Sequence, residues 1–239
     1  MSGRTRWVLP ASVLLLSAVP LSAGALRILQ LAGGPEIMTA DQRISESPVP
    51  IVVHIVAAAI FIVLGVVQFL PASHRGGWHR IAGRVLIIAG LLVAGSALWM
   101  TLFYAPKEGT GAILYVSRLV FGSAMVISIV LAYRAIRRLD VDAHRAWTIR
   151  AYALALAAGT QAFTQPLFVV LLGPGVVSSD LSALAGWVLN LAVAEWAIRR
   201  RSGRSGRSAR SGRSGGSRRI RGFRAAGDTA RRLPETAAR

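Results

Sequence analysis

The chain has 239 residues, 54% of them hydrophobic, and a mean hydropathy of +0.53, so it carries too little polar surface for a water-soluble domain of that size. It contains no cysteine, which excludes disulfides, thiolate metal sites, cysteine-ligated iron–sulfur clusters and cysteine nucleophiles. The formal charge of +18 belongs mainly to the end of the chain, because 14 of the 28 basic residues lie at or after Arg199.

The apolar residues fall into blocks of roughly 18 to 25, each long enough to cross a hydrocarbon core of ~30 Å at ~1.5 Å per residue. The first block, Trp7 to Leu31, follows Arg4 and Arg6. It has a rival reading as a cleaved signal peptide, since it contains Ala23-Gly24-Ala25, an A-x-A-like site. Its length favours a retained span, and Pro10 and Pro20 kink rather than end a membrane helix. The next blocks are Val49 to Leu70, Val85 to Tyr104, Gly111 to Tyr133, Ala151 to Leu172 and Leu181 to Ile198. Apolar residues at consecutive positions, as in Val85-Leu86-Ile87-Ile88, lack the alternation of a membrane barrel. The expected fold class is therefore all-α, a polytopic bundle of about six transmembrane helices in the cell membrane.

Three segments follow from this pattern: 1–48 with the first span and an outer loop, 49–200 as a five-helix membrane core, and 201–239 as a tail. Basic residues flank the spans on one side as Arg4, Arg6, Arg75, Arg80, Arg84, Arg134, Arg137, Arg138, Arg145 and Arg150, joined by the 14 at or after Arg199. The other side holds Arg27, Arg43 and Lys107, a count of 24 against 3, which places both termini in the cytoplasm. The tail repeats Ser-Gly-Arg triplets from Ser202, a composition that cannot bury a core and is expected to be disordered. Its expected partner is anionic lipid headgroup at the cytoplasmic face, not nucleic acid, because Phe223 is its one aromatic residue for stacking on bases. Oligomeric state is not encoded in any pattern of this chain.

Polar residues inside spans are costly and mark candidate sites. An outer layer holds His54, Arg118, Gln161 and Gln165; an inner layer holds Gln68, Asn190 and Glu195 beside the basic loop residues. His54, Gly65 and Gln68 share one helical face, with His54 and Gln68 ~21 Å apart along it. Thr160 with Thr164 and Gln161 with Gln165 form a polar stripe on the fifth span. The bland readings are a snorkelling Arg118, a Glu195 ion-paired near Arg199, and Asn190 and the glutamines bonding neighbouring helices. His54 is balanced between a neutral bonded histidine and a functional one.

Two basic loops echo each other, His79-Arg80-Ile81-Ala82-Gly83-Arg84 and His144-Arg145-Ala146-Trp147-Thr148-Ile149-Arg150. His54 lies 25 residues before His79 and Arg118 lies 26 before His144, so His54 and Arg118 are expected at similar outer depths. The motifs His54 with Gln68, His79-Arg80 with Gly83-Arg84, and His144-Arg145-Ala146-Trp147 with Ile149-Arg150 and Tyr152-Ala153-Leu154 occur in order. Trp187, Asn190-Leu191 and Ala194-Glu195 continue the series. Over roughly residues 50 to 200 this chain resembles the bacterial multi-pass membrane proteins catalogued as domain of unknown function 2306. That resemblance implies the architecture and the choice of residues but supplies no reaction. The family pattern often has an arginine near Gln161 that is missing here, and it has no place for the arginine-rich tail.

Three functions compete. A non-enzymatic membrane accessory protein asks nothing of the polar layers beyond holding helices together. A small-solute or proton-coupled transporter would use His54, Arg118 and the glutamines as its outer site. A b-type haem or quinone-linked electron-transfer protein would use His79 and His144 as axial ligands, and no other cofactor is indicated. Hydrolytic chemistry is disfavoured, since the chain has no H-E-x-x-H, no Walker loop and few intramembrane carboxylates.

Overall fold

A computed structural model describes residues 5–69 and 77–201, with no side-chain description for 5–10 and 69. The loop with His74 and Arg75, the Arg4 segment and the tail from Ser202 lie outside the described residues. Lipid offers the backbone no hydrogen-bond partner, and each described apolar block is accordingly helical. The elements are α1 (Thr5–Leu31), a short α2 (Gln42–Glu46), α3 (Val49–Phe69), α4 (Gly77–Phe103), α5 (Ala112–Arg137), α6 (Val141–Ala155), α7 (Ala157–Leu172) and α8 (Val176–Arg201). Five of them, α1, α3, α4, α5 and α8, are long and apolar enough to cross a membrane. The pair α6 and α7 reaches that length only together, bent by 43° at a break, which brings the spans to as many as six.

Two features differ from the sequence expectation. The fifth block is broken at Leu156, after which the Gly159 N–H reaches back only three residues, to Leu156 O at 3.0 Å. Helices also run past the apolar blocks: α4 starts at Gly77 rather than Val85, and α6 at Val141 rather than Ala151. Hydropathy locates the edge of the lipid, whereas a helix ends where its backbone bonds end. His79 and His144 are thus the third residue of α4 and the fourth of α6.

The turn from α5 to α6 is closed by two bonds, Asp140 N–H to Ala135 O and Leu139 N–H to Ile136 O, both 3.0 Å. That is the Schellman arrangement, with Leu139 at φ 60 where glycine is the usual occupant. Asp140 then caps α6 by accepting the Ala143 N–H at 2.9 Å.

The described residues up to Ala194 form one compact unit and those from Glu195 a second. In the first, α3 packs on α4, α4 on α5 and α5 on α6, while α1 lies against α3 and α7. The core is one cluster that includes Phe61, Leu86, Val93, Met125, Ile129 and Tyr152. In the second unit the Arg200 guanidinium lies over the Trp196 ring, 3.9 Å from its centroid.

Close approach sets the packing at two glycines. A Cβ on Gly159 would run into the Leu16 carbonyl oxygen of α1, so α1 can lie against α7 there only over a bare backbone. A Cβ on Gly65 would run into the phenol of Tyr152. That phenol donates to Phe61 O at 3.1 Å, and its ring stacks on Phe61 with centroids 4.4 Å apart. Gly65→Ala is expected to lower stability by about 1–3 kcal/mol through overpacking. Gly95→Ala, on a part of α4 with nothing within 4 Å, should leave it unchanged or slightly raised. Thermal unfolding of the two purified variants in detergent checks the contrast, and equal melting would contradict it.

Candidate functional site

The four residues of the expected outer layer, His54, Arg118, Gln161 and Gln165, border a single cavity of about 610 Å³. Their helices explain the convergence. His54 is the sixth residue of α3 and Arg118 the seventh of α5, so both lie about one to two turns inside helices that enter from the same end of the unit. The glutamines come from α7, and the break before it contributes Leu154, Ala155 and Leu156 to the wall. Ser17 and Pro20 of α1 close another side.

The His54 ring is fixed by Nδ1, which lies 3.0 Å from Val93 O and 3.1 Å from Ser96 Oγ. A carbonyl oxygen only accepts, so Nδ1 donates and carries the proton; Nε2 of the neutral ring is then an acceptor. Among the described residues nothing bonds to that Nε2. Arg118 is exposed to the cavity and makes no hydrogen bond or ion pair with any described residue. Gln165 likewise has no partner among them.

Its neighbours on the α7 stripe are engaged with α8. Gln161 Nε2 donates to Ala183 O at 2.9 Å, Thr164 to Ser182 O at 2.8 Å, and Thr160 to Asn190 Oδ1 at 2.7 Å. Asn190 Nδ2 in turn donates to Ala153 O at 3.1 Å, across the break. Gln161 and Asn190 therefore hold α8 against the bent pair.

The mouth is built from the end of α1, the short α2 and the loops beside them. Arg43 grips Asp41 through two bonds, 2.9 Å from Nε and 2.6 Å from Nη2, and donates to Ala105 O at 3.0 Å. The Arg43 guanidinium holds the Asp41 carboxyl below the usual carboxylate range, against an opposing push from burial. Arg27 donates to Thr39 O at 3.2 Å and Tyr104 to Ser47 O at 2.5 Å, so the segment between α1 and α3 is tied down beside the opening. Lys107 borders the cavity from the α4–α5 loop.

Other expected site residues lie elsewhere. Gln68 donates to His79 O at 3.3 Å, joining the end of α3 to the start of α4. Neither Gln68 nor His79 borders the cavity, and His54 and Gln68 are separated by the Phe61–Tyr152 stack seated on Gly65. His144 Nδ1 lies 2.9 Å from Ala132 O, and Arg150 lies over Trp147 at 4.5 Å. Arg80, Arg84 and Arg145 are exposed. Glu195 belongs to the second unit. No group of three or more His, Cys, Asp or Glu with metal-binding placement occurs among the described residues.

Asp180, an outer-side charge in the sequence and not among its candidate site residues, is 2% exposed. Its carboxylate accepts the Gly111 N–H at 2.9 Å and the Leu114 N–H at 3.2 Å, in the first turn of α8 and against the N-terminus of α5. A negative charge there complements the positive ends of both helices.

Residues 51–198 match the family of predicted membrane proteins catalogued as domain of unknown function 2306. The chain belongs to that family. It is a multi-pass membrane protein, and the matched segment contains His54, Arg118, Gln161, Gln165 and Asp180. Neither a curated protein nor a solved structure matches this family member. The α1 wall of the cavity, with Ser17 and Arg27, precedes the family segment.

Removing the Asp180 carboxylate leaves the N–H groups of Gly111, the N-cap of α5, and of Leu114 in its first turn without this acceptor. Asp180→Ala is expected to cost about 1–2 kcal/mol, and Asp180→Asn, which keeps one acceptor, less. Circular dichroism melts in detergent check the order; an Asp180→Ala protein as stable as the parent would contradict it.

Proposed function

We propose that this protein is a non-enzymatic membrane protein that binds a small solute in the cavity at the Asp41 end, as a transporter or solute-responsive protein. The observation that carries this reading is Arg118, a charged side chain inside a span that borders a cavity of about 610 Å³ and lacks a partner among the described residues. An arginine in a membrane helix costs on the order of 3 kcal/mol at the bilayer centre and is usually offset by a partner, water or a ligand. The cavity also falls in the size range of small-molecule sites, roughly 300–1,000 Å³. A purely structural accessory role would be served by a closed interior, and this interior is open beside three polar groups, His54 Nε2, Arg118 and Gln165.

The excess of Lys and Arg at the His79 end supports an orientation with both termini in the cytoplasm, so that the cavity opens to the outside. The exposed Arg80, Arg84 and Arg145 then face anionic headgroups of the inner leaflet. The Phe61–Tyr152 stack, with Phe61 in the cavity wall and Tyr152 against Gly65, fits a cavity that is closed toward Gln68, as an outward-open state would be.

A thermal-shift screen of small water-soluble metabolites against the purified full chain tests the reading. At least one solute is expected to raise the melting temperature of the parent and not that of Arg118→Gln, since occupied sites stabilise the folded state by mass action. A parent protein unmoved by the whole collection, or a shift unchanged in Arg118→Gln, would contradict it.

A further inference from the structure

We infer that the solute is an amphipathic organic acid, with one carboxylate received by Arg118 and an apolar body lying on the aromatic wall. This rests on the solute-binding reading and adds the chemical class.

The charge argument comes first. Four cations border the cavity, Arg27, Arg43, Lys107 and Arg118, against one acid, Asp41. Asp41 is consumed by its two bonds to Arg43. Asp180 turns its oxygens to the Gly111 and Leu114 N–H groups. Neither acid supplies Arg118 with a bonded counter-charge, and a cleft lined by one sign of charge with apolar walls concentrates solutes of the opposite sign.

The number of charges follows from which cations are available. Arg43 of α2 is bound to Asp41 and Ala105 O, and Arg27 of the last turns of α1 to Gln30 and Thr39 O, so both are already engaged at the mouth. Lys107 is exposed on a loop, where it can draw an anion in. Within the helical part of the cavity Arg118 stands without a partner among the described residues, so the site offers one full positive charge to a bound group. A guanidinium presents two parallel N–H groups that match the two oxygens of a carboxylate. Gln165 adds an amide donor, whereas Gln161 has already given its N–H₂ to Ala183 O. His54 Nε2, an acceptor in the neutral ring, takes a water or a solute O–H rather than the carboxylate itself.

The rest of the wall is apolar and aromatic. Phe61, Phe121 and Trp187 border the cavity, and the last two stack with centroids 5.1 Å apart. A small hydrophilic anion would leave these rings against water, and a polyphosphate would leave charge unmatched. A single carboxylate on an aromatic or aliphatic body satisfies both parts of the site.

The test is calorimetric titration of the full chain in detergent with four probes: benzoate, acetate, benzyl alcohol and benzylamine. Benzoate is expected to bind, with acetate and benzyl alcohol each at least about tenfold weaker, the factor that one charge-assisted bond or one buried ring supplies. Arg118→Gln should lower benzoate affinity by about tenfold or more and leave benzyl alcohol unchanged, while Arg118→Lys, which keeps the charge, retains part of the benzoate affinity. Phe121→Ala should narrow the gap between benzoate and acetate. Benzylamine or benzyl alcohol binding as tightly as benzoate would overturn the acid assignment while leaving solute binding in place. Acetate equal to benzoate would overturn the apolar body. Binding of none of the four overturns the inference outright, whereas the metabolite screen still decides whether any solute binds.

Discussion

A polar group carried into lipid must find its partner inside the bundle, and most of this structure can be derived from that one constraint. The backbone meets it by becoming helical throughout the apolar blocks. The side chains meet it across helices: Thr160, Gln161 and Thr164 of α7 each bond to α8, and Asn190 returns a bond to Ala153 on the far side of the break. Asp180 meets it by accepting two N–H groups of the α5 region, joining α8 to a helix about 66 residues earlier in sequence. Each such bond is worth only about 1 kcal/mol in a membrane, but together they fix which helices are neighbours. Arg118 and Gln165 stand outside the pattern among the described residues, and both border the cavity.

Small residues set how close the helices come. Gly65 admits the Tyr152 phenol, and that phenol with Phe61 makes the floor separating the cavity from Gln68 and His79. Gly159 admits the backbone of α1 just beyond the α6–α7 break, which brings Ser17 to the cavity wall. Broken helices in membrane proteins occur where the chain borders protein or a cavity rather than lipid, and the break at Leu156 borders the cavity. Packing and site are thus consequences of the same few positions.

The apolar blocks were legible because hydropathy reports the lipid directly, and so were the all-α class and the family. The spacing of His54 from His79 and of Arg118 from His144 put the two residues at one depth, and they border one cavity. Helix ends were less legible: Arg80, Arg84, Arg145 and Arg150 lower the hydropathy of turns that are fully helical. The break at Leu156 falls within a run of alanine and leucine, residues that favour an unbroken helix, and Gly159 three residues later is too weak a local sign to place it. Asp180 reads in sequence as an interfacial charge before the last span. Its role depends on the N-terminus of α5, which no pattern along the chain places beside it. Tyr152 is a similar case, since its partner Phe61 is on another helix.

The most direct measurement exploits the absence of cysteine, which makes every single-cysteine variant informative. Gln165→Cys, Gln68→Cys and the exposed α2 reference Ser45→Cys are treated in sealed vesicles with a membrane-impermeant thiol reagent. A water-filled cavity open at the Asp41 end and floored by Phe61 and Tyr152 predicts that Gln165→Cys reacts from the same side as Ser45→Cys, and that Gln68→Cys does not. A Gln165→Cys that stays unreactive from that side, or a Gln68→Cys that reacts from it, would contradict the one-sided cavity on which the functional reading stands.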